Sequence, residues 1–176
     1  MVKKAFSIIL TIIVIFNLTS CSANKKTRYE AEFLTLFDTV TKIVGYSHSK
    51  EEFTKYSQLI YDNLKIYHEL YDIYNSYDGI NNIKTINDNA GISAVKVDRK
   101  IIDLLNIAKE QYNKTEGKLN IAFGPVLKIW HDYRTYGIDN PENAKVPTIE
   151  ELKEAANHTD ISKVIIDENE GTVFLS

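Results

Sequence analysis

TEGKLNIAFGP, residues 115–125, has the most informative local pattern in this chain. Gly117 predicts a turn, the following residues predict an extended piece, and Gly124–Pro125 predicts a helix start, because proline is tolerated at the first helical position. Free backbone N–H groups at a helix N-terminus can bind a phosphate or diphosphate. A loop-to-helix junction that binds no ligand can have the same residue types, so this segment alone leaves the function open.

The chain before this segment shows strand and then helix patterns. Residues 33–46 are rich in β-formers with rough alternation, which predicts one or two strand segments. Ser49 and Glu52 form a capping box that opens one long amphipathic helix over 49–74. The tyrosine stripe of this helix is more typical of a core than of a cofactor site. A short helix is expected within 80–87.

The remaining elements follow from capping and turn signals. We predict a helix over 98–114, a helix beginning near 125, a capped helix over 148–157 and a β-hairpin over 164–175. Together with the N-terminal strands, this order predicts an α+β fold, with helices packed around a mainly antiparallel sheet.

Composition excludes several classes of protein. The 176 residues are 44% hydrophobic and 26% charged, with one Cys and a formal net charge of −3. These values exclude a disordered chain, an internal disulfide and a Cys-built zinc site, and the charge argues against nucleic-acid binding. The four histidines show no metal-ligand spacing, and no P-loop, dinucleotide fingerprint or nucleophile elbow occurs.

The N-terminus has the pattern of an export signal. Two lysines precede an apolar run over 5–16, which is too short for a membrane span of about 20 residues. The stretch ends in Leu18-Thr19-Ser20-Cys21, which resembles a bacterial lipobox. We therefore predict a lipoprotein signal peptide over 1–20, lipidation of Cys21, a tether over 21–32, and location on the outer face of the cell membrane. A plain secretory signal is the alternative.

Four stretches together resemble one family. Residues 115–130, TEGKLNIAFGPVLKIW, are similar to the T-x-G-a-F-D-x-t-x-G-P-L-x-x-L-W pattern of the FAD:protein FMN transferases, the ApbE family of flavin-handling lipoproteins. Phe37-Asp38-Thr39 stands where the family has Met-Gly-Thr on its first strand. Asn75-Ser76-Tyr77 stands for the family's Ser-x-Tyr, and Ile86-Asn87 for its Leu/Phe-Asn. The resemblance covers essentially all of the mature chain, residues 21–176.

This resemblance implies an exported, Mg²⁺-dependent enzyme that splits FAD and attaches FMN to a Thr or Ser of a partner protein. It implies that a set of residues here lines the flavin nucleotide: Phe37, Tyr77, Lys118, Leu119 and Asn120. Asn120 replaces the commoner Asp, which keeps an acceptor but loses the charge. A core or capping role is the alternative for Phe37 and Tyr77.

The family's Asp-x-Gly-Gly-x-x-Lys-Gly segment, expected just after the hairpin, does not occur in this sequence. The later acidic and Asp-x-x-x-Thr segment, which supplies metal ligands in the family, does not occur either. We therefore expect residues 33–176 to form the N-terminal half of the transferase domain, with no catalytic or metal-ligating residue of its own and no activity alone. Two other classes stay open. One is a non-catalytic or degenerate FAD-binding lipoprotein, and the other is a surface lipoprotein whose tyrosine-rich helix docks a partner.

Overall fold

The computed structural model describes residues 25–176, which belong to two compact units that divide after His68. No helix in this described part of the chain is long and apolar enough to cross a membrane. The predicted signal peptide and Cys21 lie outside the described residues.

The first unit is a hairpin covered on one face by a helix. Strands β1 (Thr27–Leu36) and β2 (Thr39–Ser47) pair antiparallel, and helix α1 (Lys50–Tyr71) begins directly after them. Phe37 and Asp38, which connect the strands, have φ of 57° and 50°. Positive φ at both central residues is the type I′ geometry, whose twist matches that of the flanking strands.

Alternation along β1 explains why the strand begins earlier than predicted. Arg28, Glu30 and Glu32 are exposed, while Tyr29, Ala31 and Phe33 are partly buried on the opposite face. Strand β1 therefore begins at Thr27 rather than at residue 33, and the end of the predicted tether lies inside it.

Aromatic contacts hold α1 on the hairpin. The ring of Tyr29 stacks on that of Phe53 at 5.5 Å between centroids, and Phe33 packs against Tyr61 at 4.8 Å. Such pairs contribute about 0.5–1.5 kcal/mol beyond the area they bury. Gly45 on β2 permits this approach, because a Cβ there would lie 3.3 Å from the Phe53 ring.

The second unit adds four helices and a three-stranded sheet. Its helices are α2 (Ile83–Asp88), α3 (Arg99–Lys114), α4 (Gly124–Asp139) and α5 (Ile149–Ala156). Strands β3 (Val95–Lys96), β4 (Val164–Asp167) and β5 (Thr172–Leu175) pair antiparallel in the order β3–β5–β4. Short 3₁₀ turns occur at Ile121–Phe123, Pro141–Asn143 and Ile161–Lys163.

The core of the second unit lies between this sheet and its helices. Ile101 and Ile102 of α3 are fully buried, and Val173 of the central strand β5 is almost so. Their partners in the buried cluster are Leu70, Ile86, Val95, Leu105 and Val164. The predicted α+β class with mainly antiparallel strands is confirmed.

Helix ends follow the predicted capping residues, with two differences. Asp98 caps α3, and Thr148 with Glu151 forms a complete capping box on α5. At α1, Ser49 Oγ accepts from the Glu52 N–H at 3.1 Å, but the Glu52 carboxylate reaches past Ser49 to the His48 N–H and the Ser47 hydroxyl. Helix α1 also ends at Tyr71, earlier than predicted, because the next residue, Asp72, binds the N–H groups that follow it.

Candidate functional site

The loop between α1 and α2 is organised around one carboxylate. Asp72 accepts hydrogen bonds from the Tyr74 N–H at 2.7 Å, from the Asn75 N–H at 3.0 Å and side-chain amide at 2.9 Å, and from the Tyr77 hydroxyl at 2.7 Å. Burial alone would raise the pKa of Asp72, but these donors outweigh it and hold the pKa well below its usual range. The carboxylate is therefore ionised, and it fixes the position of Tyr77.

A tight turn holds Tyr77 from the other side. The Ile80 N–H donates to the Tyr77 carbonyl at 3.1 Å, and Gly79 between them has a φ of 70°. Positive φ at the third position of such a turn is the type II geometry, which favours glycine. The half-buried ring of Tyr77 is thus fixed at both its hydroxyl and its backbone.

The buried side chain of Asn82 holds this loop together through hydrogen bonds. Its side chain is completely buried and donates to the carbonyls of Glu69 at 3.1 Å and Asn75 at 2.8 Å. Its Oδ1 accepts from the N–H of Thr85 at 3.0 Å and so caps α2. Asn82 therefore joins the end of α1, the Tyr77 loop and the start of α2.

The segment 115–125 begins with the C-terminal cap of α3. The Gly117 N–H donates to the Tyr112 carbonyl at 2.8 Å, and the Glu116 N–H donates to that of Asn113 at 3.2 Å, which is the Schellman pattern. Gly117 has a φ of 81°, and a Cβ there would lie 3.4 Å from the Tyr112 ring. The predicted turn is confirmed, and only glycine fits it without strain.

Hydrogen bonds from polar side chains fix the backbone of the rest of the 115–125 segment. The Thr115 hydroxyl donates to the Gln111 carbonyl at 2.8 Å and accepts from the Leu119 N–H at 3.0 Å. Asn120 Oδ1 accepts from the Ala122 N–H at 2.9 Å, and its amide donates to the Thr159 carbonyl at 2.8 Å. An aspartate could not make that last bond at neutral pH, because an ionised carboxylate has no donor. Asn120 thus ties the segment to residue 159.

Lys118 and Leu119 are the outward-facing members of this stretch. Both are exposed, Leu119 to 44%. Within residues 25–176, the Lys118 ammonium has no ion-pair partner, whereas four cations on helices of the same unit each pair with a carboxylate four residues away: Lys84, Arg99, Lys114 and Lys128. The segment therefore presents a cation and an apolar side chain to solvent.

Phe37 lies in the first unit and not on a strand. The resemblance places it on the first strand, but it occupies the hairpin turn at positive φ, which is an unusual conformation for a bulky side chain. Its N–H donates to His68 Nδ1 at 3.2 Å, and its ring meets the edge of the His68 ring at 5.5 Å. The ring is 41% exposed.

The predicted residues thus occupy three loops. Lys118, Leu119 and Asn120 are consecutive, and Tyr77 lies on another loop of the same unit, whereas Phe37 belongs to the other unit. Their contact with a flavin stays a prediction. Sequence reasoning missed Asp72 and Asn82. The spacing of Asn82 and Thr85 is a capping signal that would have identified the second.

Comparison with known proteins bears on this arrangement. A family profile described as the ApbE family matches residues 37–175, which is most of the chain and includes both loops of the second unit. The chain belongs to the ApbE family. No curated protein matches the ApbE-family chain. Among solved structures, the ApbE protein of Thermotoga maritima is similar, with 25% identity and a TM-score of 0.67.

That match covers 85% of this chain and 45% of the Thermotoga maritima chain, so this ApbE-family chain spans about half the length of the solved relative. The family assignment and the ApbE-like fold of helices with antiparallel sheets are confirmed.

The described residues do not form a metal centre. Within residues 25–176, no three His, Cys, Asp or Glu side chains come together in a way that could hold a metal ion. The ionised Asp72 is not available as a ligand, because its oxygens already accept four hydrogen bonds from its own loop.

Proposed function

We propose that this chain contributes the flavin-nucleotide side of an FAD:protein FMN transferase. The observation that carries the proposal is the family match over residues 37–175, a range that includes the Tyr77 loop and the 115–125 segment. In the proposed reaction a Thr or Ser hydroxyl of an acceptor protein attacks the FMN phosphorus of FAD. The diphosphate bond breaks, AMP leaves with the bridging oxygen, and the hydroxyl proton is released.

Lys118 would bind the diphosphate of FAD in this scheme. Its ammonium is exposed and unpaired among the described residues, so it can approach a phosphate without breaking another ion pair. The first turn of α4 follows closely and supplies free N–H groups, although Pro125 has none. Cation and helix terminus together favour a negatively charged ligand beside 118–124.

Tyr77 and Leu119 would contact the uncharged parts of the nucleotide. The Tyr77 hydroxyl is already engaged with Asp72 at 2.7 Å, so a contact of Tyr77 with the nucleotide would involve its ring and not its hydroxyl. Asn120 would act indirectly, because both ends of its amide are used to fix the segment. Phe37 stays a proposed flavin contact, carried by its position in the family resemblance.

The described residues do not form a binding site for Mg²⁺. Among residues 25–176, no three His, Cys, Asp or Glu side chains are grouped so that they could hold a divalent cation. We propose that metal ligands are supplied by the part of the family fold that has no counterpart in these 176 residues. For that reason we expect the chain alone to transfer no FMN, and to bind FAD weakly at most.

The acceptor and the location are also proposals. We propose an exported acceptor protein that carries a reactive Thr or Ser, and attachment of the chain to the outer face of the membrane through lipidated Cys21. Replacement Cys21→Ala is expected to abolish both processing and membrane association, as measured by mobility and fractionation. Unchanged processing together with unchanged fractionation would contradict the anchor.

In-gel flavin fluorescence of a Thr-bearing acceptor, incubated with FAD and Mg²⁺, tests the transferase. We expect no fluorescent acceptor with the 176-residue chain alone, and a fluorescent band when the rest of the family fold is supplied in one chain or as a second fragment. A fluorescent acceptor from the chain alone would contradict the expected inactivity. No transfer by the completed protein, where a working transferase labels the same acceptor, would contradict the proposed function.

A further inference from the structure

The exposed pair Lys118–Leu119 is held by hydrogen bonds on both sides. Before the pair, the Lys118 N–H donates to the Thr115 carbonyl at 3.2 Å, and the Leu119 N–H donates to the Thr115 hydroxyl at 3.0 Å. After the pair, the Asn120 amide donates to the Thr159 carbonyl at 2.8 Å. The backbone of the pair is therefore fixed at both ends, whereas its side chains are exposed.

The anchor at Thr159 is itself fixed at the end of helix α5. The Thr159 hydroxyl donates to the Ala156 carbonyl at 2.8 Å, and the Thr159 N–H donates to the same carbonyl at 3.3 Å. The next residue, Asp160, accepts from the Ser162 N–H at 2.8 Å and caps the 3₁₀ turn that leads into β4. Asn120 therefore connects its own segment to a loop that is held in place by hydrogen bonds.

The amide of asparagine suits residue 120 better than a carboxylate. An amide donates and accepts at the same time, whereas an ionised carboxylate only accepts. Aspartate, the commoner residue at this position of the family pattern, would place an oxygen against the Thr159 carbonyl. The 115–125 segment contains Glu116 as its one acidic residue and Lys118 as its one basic residue, so aspartate would also make it net negative. Asparagine thus keeps both the hydrogen bond and a charge balance that favours an anionic ligand.

We propose that Asn120, together with Thr115, is a positioning residue that holds Lys118 for the phosphates of the flavin nucleotide. This inference rests on the proposed function and deepens it. Lysine carries its charge on a flexible stem, so a backbone that is already fixed lowers the ordering cost of binding. Asn120 Oδ1 also accepts from the Ala122 N–H and starts the 3₁₀ turn that leads directly into α4. One side chain thus fixes Lys118 and the start of α4 in a single arrangement.

Titration of the full 176-residue chain with FAD, followed by flavin fluorescence, tests the role of Asn120. Asn120→Ser keeps an oxygen that can cap the Ala122 N–H, but it is too short to reach Thr159 and adds no charge. We expect it to weaken FAD binding by about three- to tenfold, the equivalent of one lost hydrogen bond. Asn113→Ser is the matched control, because Asn113 is an exposed asparagine on α3, and it should leave the dissociation constant unchanged.

A double-mutant cycle with Lys118→Ala distinguishes positioning from a general loss of structure. Because Asn120 acts through the lysine, Asn120→Ser should change the dissociation constant less than about twofold in the Lys118→Ala background. A merely structural loss would weaken binding by the same factor in both backgrounds. Equal factors would therefore overturn the proposal, as would an Asn120→Ser chain that binds FAD as tightly as wild type.

Thr115 provides a second pair of variants, which decides the question if Asn120→Ser loses its circular dichroism spectrum. Thr115→Val removes the hydroxyl that fixes the Leu119 N–H without changing the size of the side chain, whereas Thr115→Ser keeps that hydroxyl. We expect the valine variant to weaken FAD binding about threefold or more and the serine variant to retain it. Equal affinities of the valine and serine variants would contradict the positioning role.

Inorganic pyrophosphate separates this inference from the proposed function, because it has a diphosphate but no flavin. In a nuclear magnetic resonance titration we expect it to shift the amide signals of residues 118–124, and Asn120→Ser should weaken this binding too. Pyrophosphate binding that depends on Asn120, without any FAD binding, would support the phosphate site and contradict the flavin function. FAD binding that is insensitive to both Asn120 and Thr115 would overturn this inference alone. Binding of neither ligand would overturn both.

Discussion

The two units differ in how completely their elements enclose apolar side chains. In the second unit, helices and the β3–β5–β4 sheet surround Ile101, Ile102 and Val173, which are at most 1% exposed. In the first unit the hairpin and α1 bury Leu36 and Phe53, but within residues 25–176 apolar side chains such as Val44 on β2 and Leu59 on α1 stay exposed. The second unit therefore has a closed core, whereas the first unit has an exposed apolar surface suited to further packing.

Truncation of the closed core should have the largest effect. Ile101→Ala should lower the free energy of unfolding by about 2–5 kcal/mol, because a fully buried side chain leaves a cavity. Ile92→Ala is the control, since Ile92 is 75% exposed, and should cost less than about 0.5 kcal/mol. Urea denaturation measures both. Equal losses would contradict the closed core of the second unit.

The next largest loss of stability is expected when the buried side-chain amide of Asn82, beside the Tyr77 loop, is removed. Asn82→Ala leaves the Glu69 and Asn75 carbonyls without their donor and should destabilise the protein by about 1–3 kcal/mol. The neighbouring Asn81→Ala removes an exposed hydrogen bond to the Lys96 carbonyl and should cost less than about 1 kcal/mol. Hydrogen exchange of the α2 amides should show the same ranking. A neutral Asn82→Ala would contradict the closing role of Asn82.

Acid should weaken the same loop through Asp72. The pKa of this carboxyl is lowered in the folded protein, so its stabilising contribution is present above the unfolded pKa near 4 and is lost as pH falls toward the folded pKa. Wild-type stability should therefore fall below about pH 4 more steeply than that of Asp72→Asn. Asp78→Asn, which removes an exposed carboxylate of the same loop, is the control for the change in net charge. Identical slopes for wild type and Asp72→Asn would contradict this assignment.

The smallest effect is expected in the first unit. Ser57→Ala removes a buried hydroxyl that has no partner among the described residues, so it should raise stability by up to about 1 kcal/mol instead of lowering it. Thr54→Ala, an exposed helical position, reports the gain from helix propensity alone. Thermal unfolding compares the two variants. A loss of stability with Ser57→Ala would show that the hydroxyl is satisfied.

Local signals in the sequence predicted much of the fold. Asp98, Thr148 with Glu151 and Gly117 each act through hydrogen bonds or φ values within a few residues, so their pattern is visible in the sequence. Strand β1 began earlier than predicted because its charged residues alternate with aromatic and apolar ones, and the charges made that stretch resemble a tether.

The candidate site was less predictable because its organisation depends on longer-range contacts. Asn120 bonds to residue 159, which no spacing rule connects to it. Asn82 bonds back across its loop to Glu69. The donors to Asp72 lie only two to five residues further on, so this part of the site is a local pattern that the sequence reasoning missed. Phe37 was expected on a strand, but the turn geometry of the hairpin determined its position. Contact of these residues with a flavin stays a prediction.

Titration of the 176-residue chain with FAD, followed by flavin fluorescence, tests the central claim most directly. We predict weak, saturable binding that Tyr77→Ala and Lys118→Ala each reduce several-fold. Lys96→Ala, an exposed lysine on β3, is the control and should leave binding unchanged. Absence of saturable binding, or binding that neither variant at the Tyr77 loop and the 115–125 segment alters, would contradict the assignment of these loops to the flavin nucleotide.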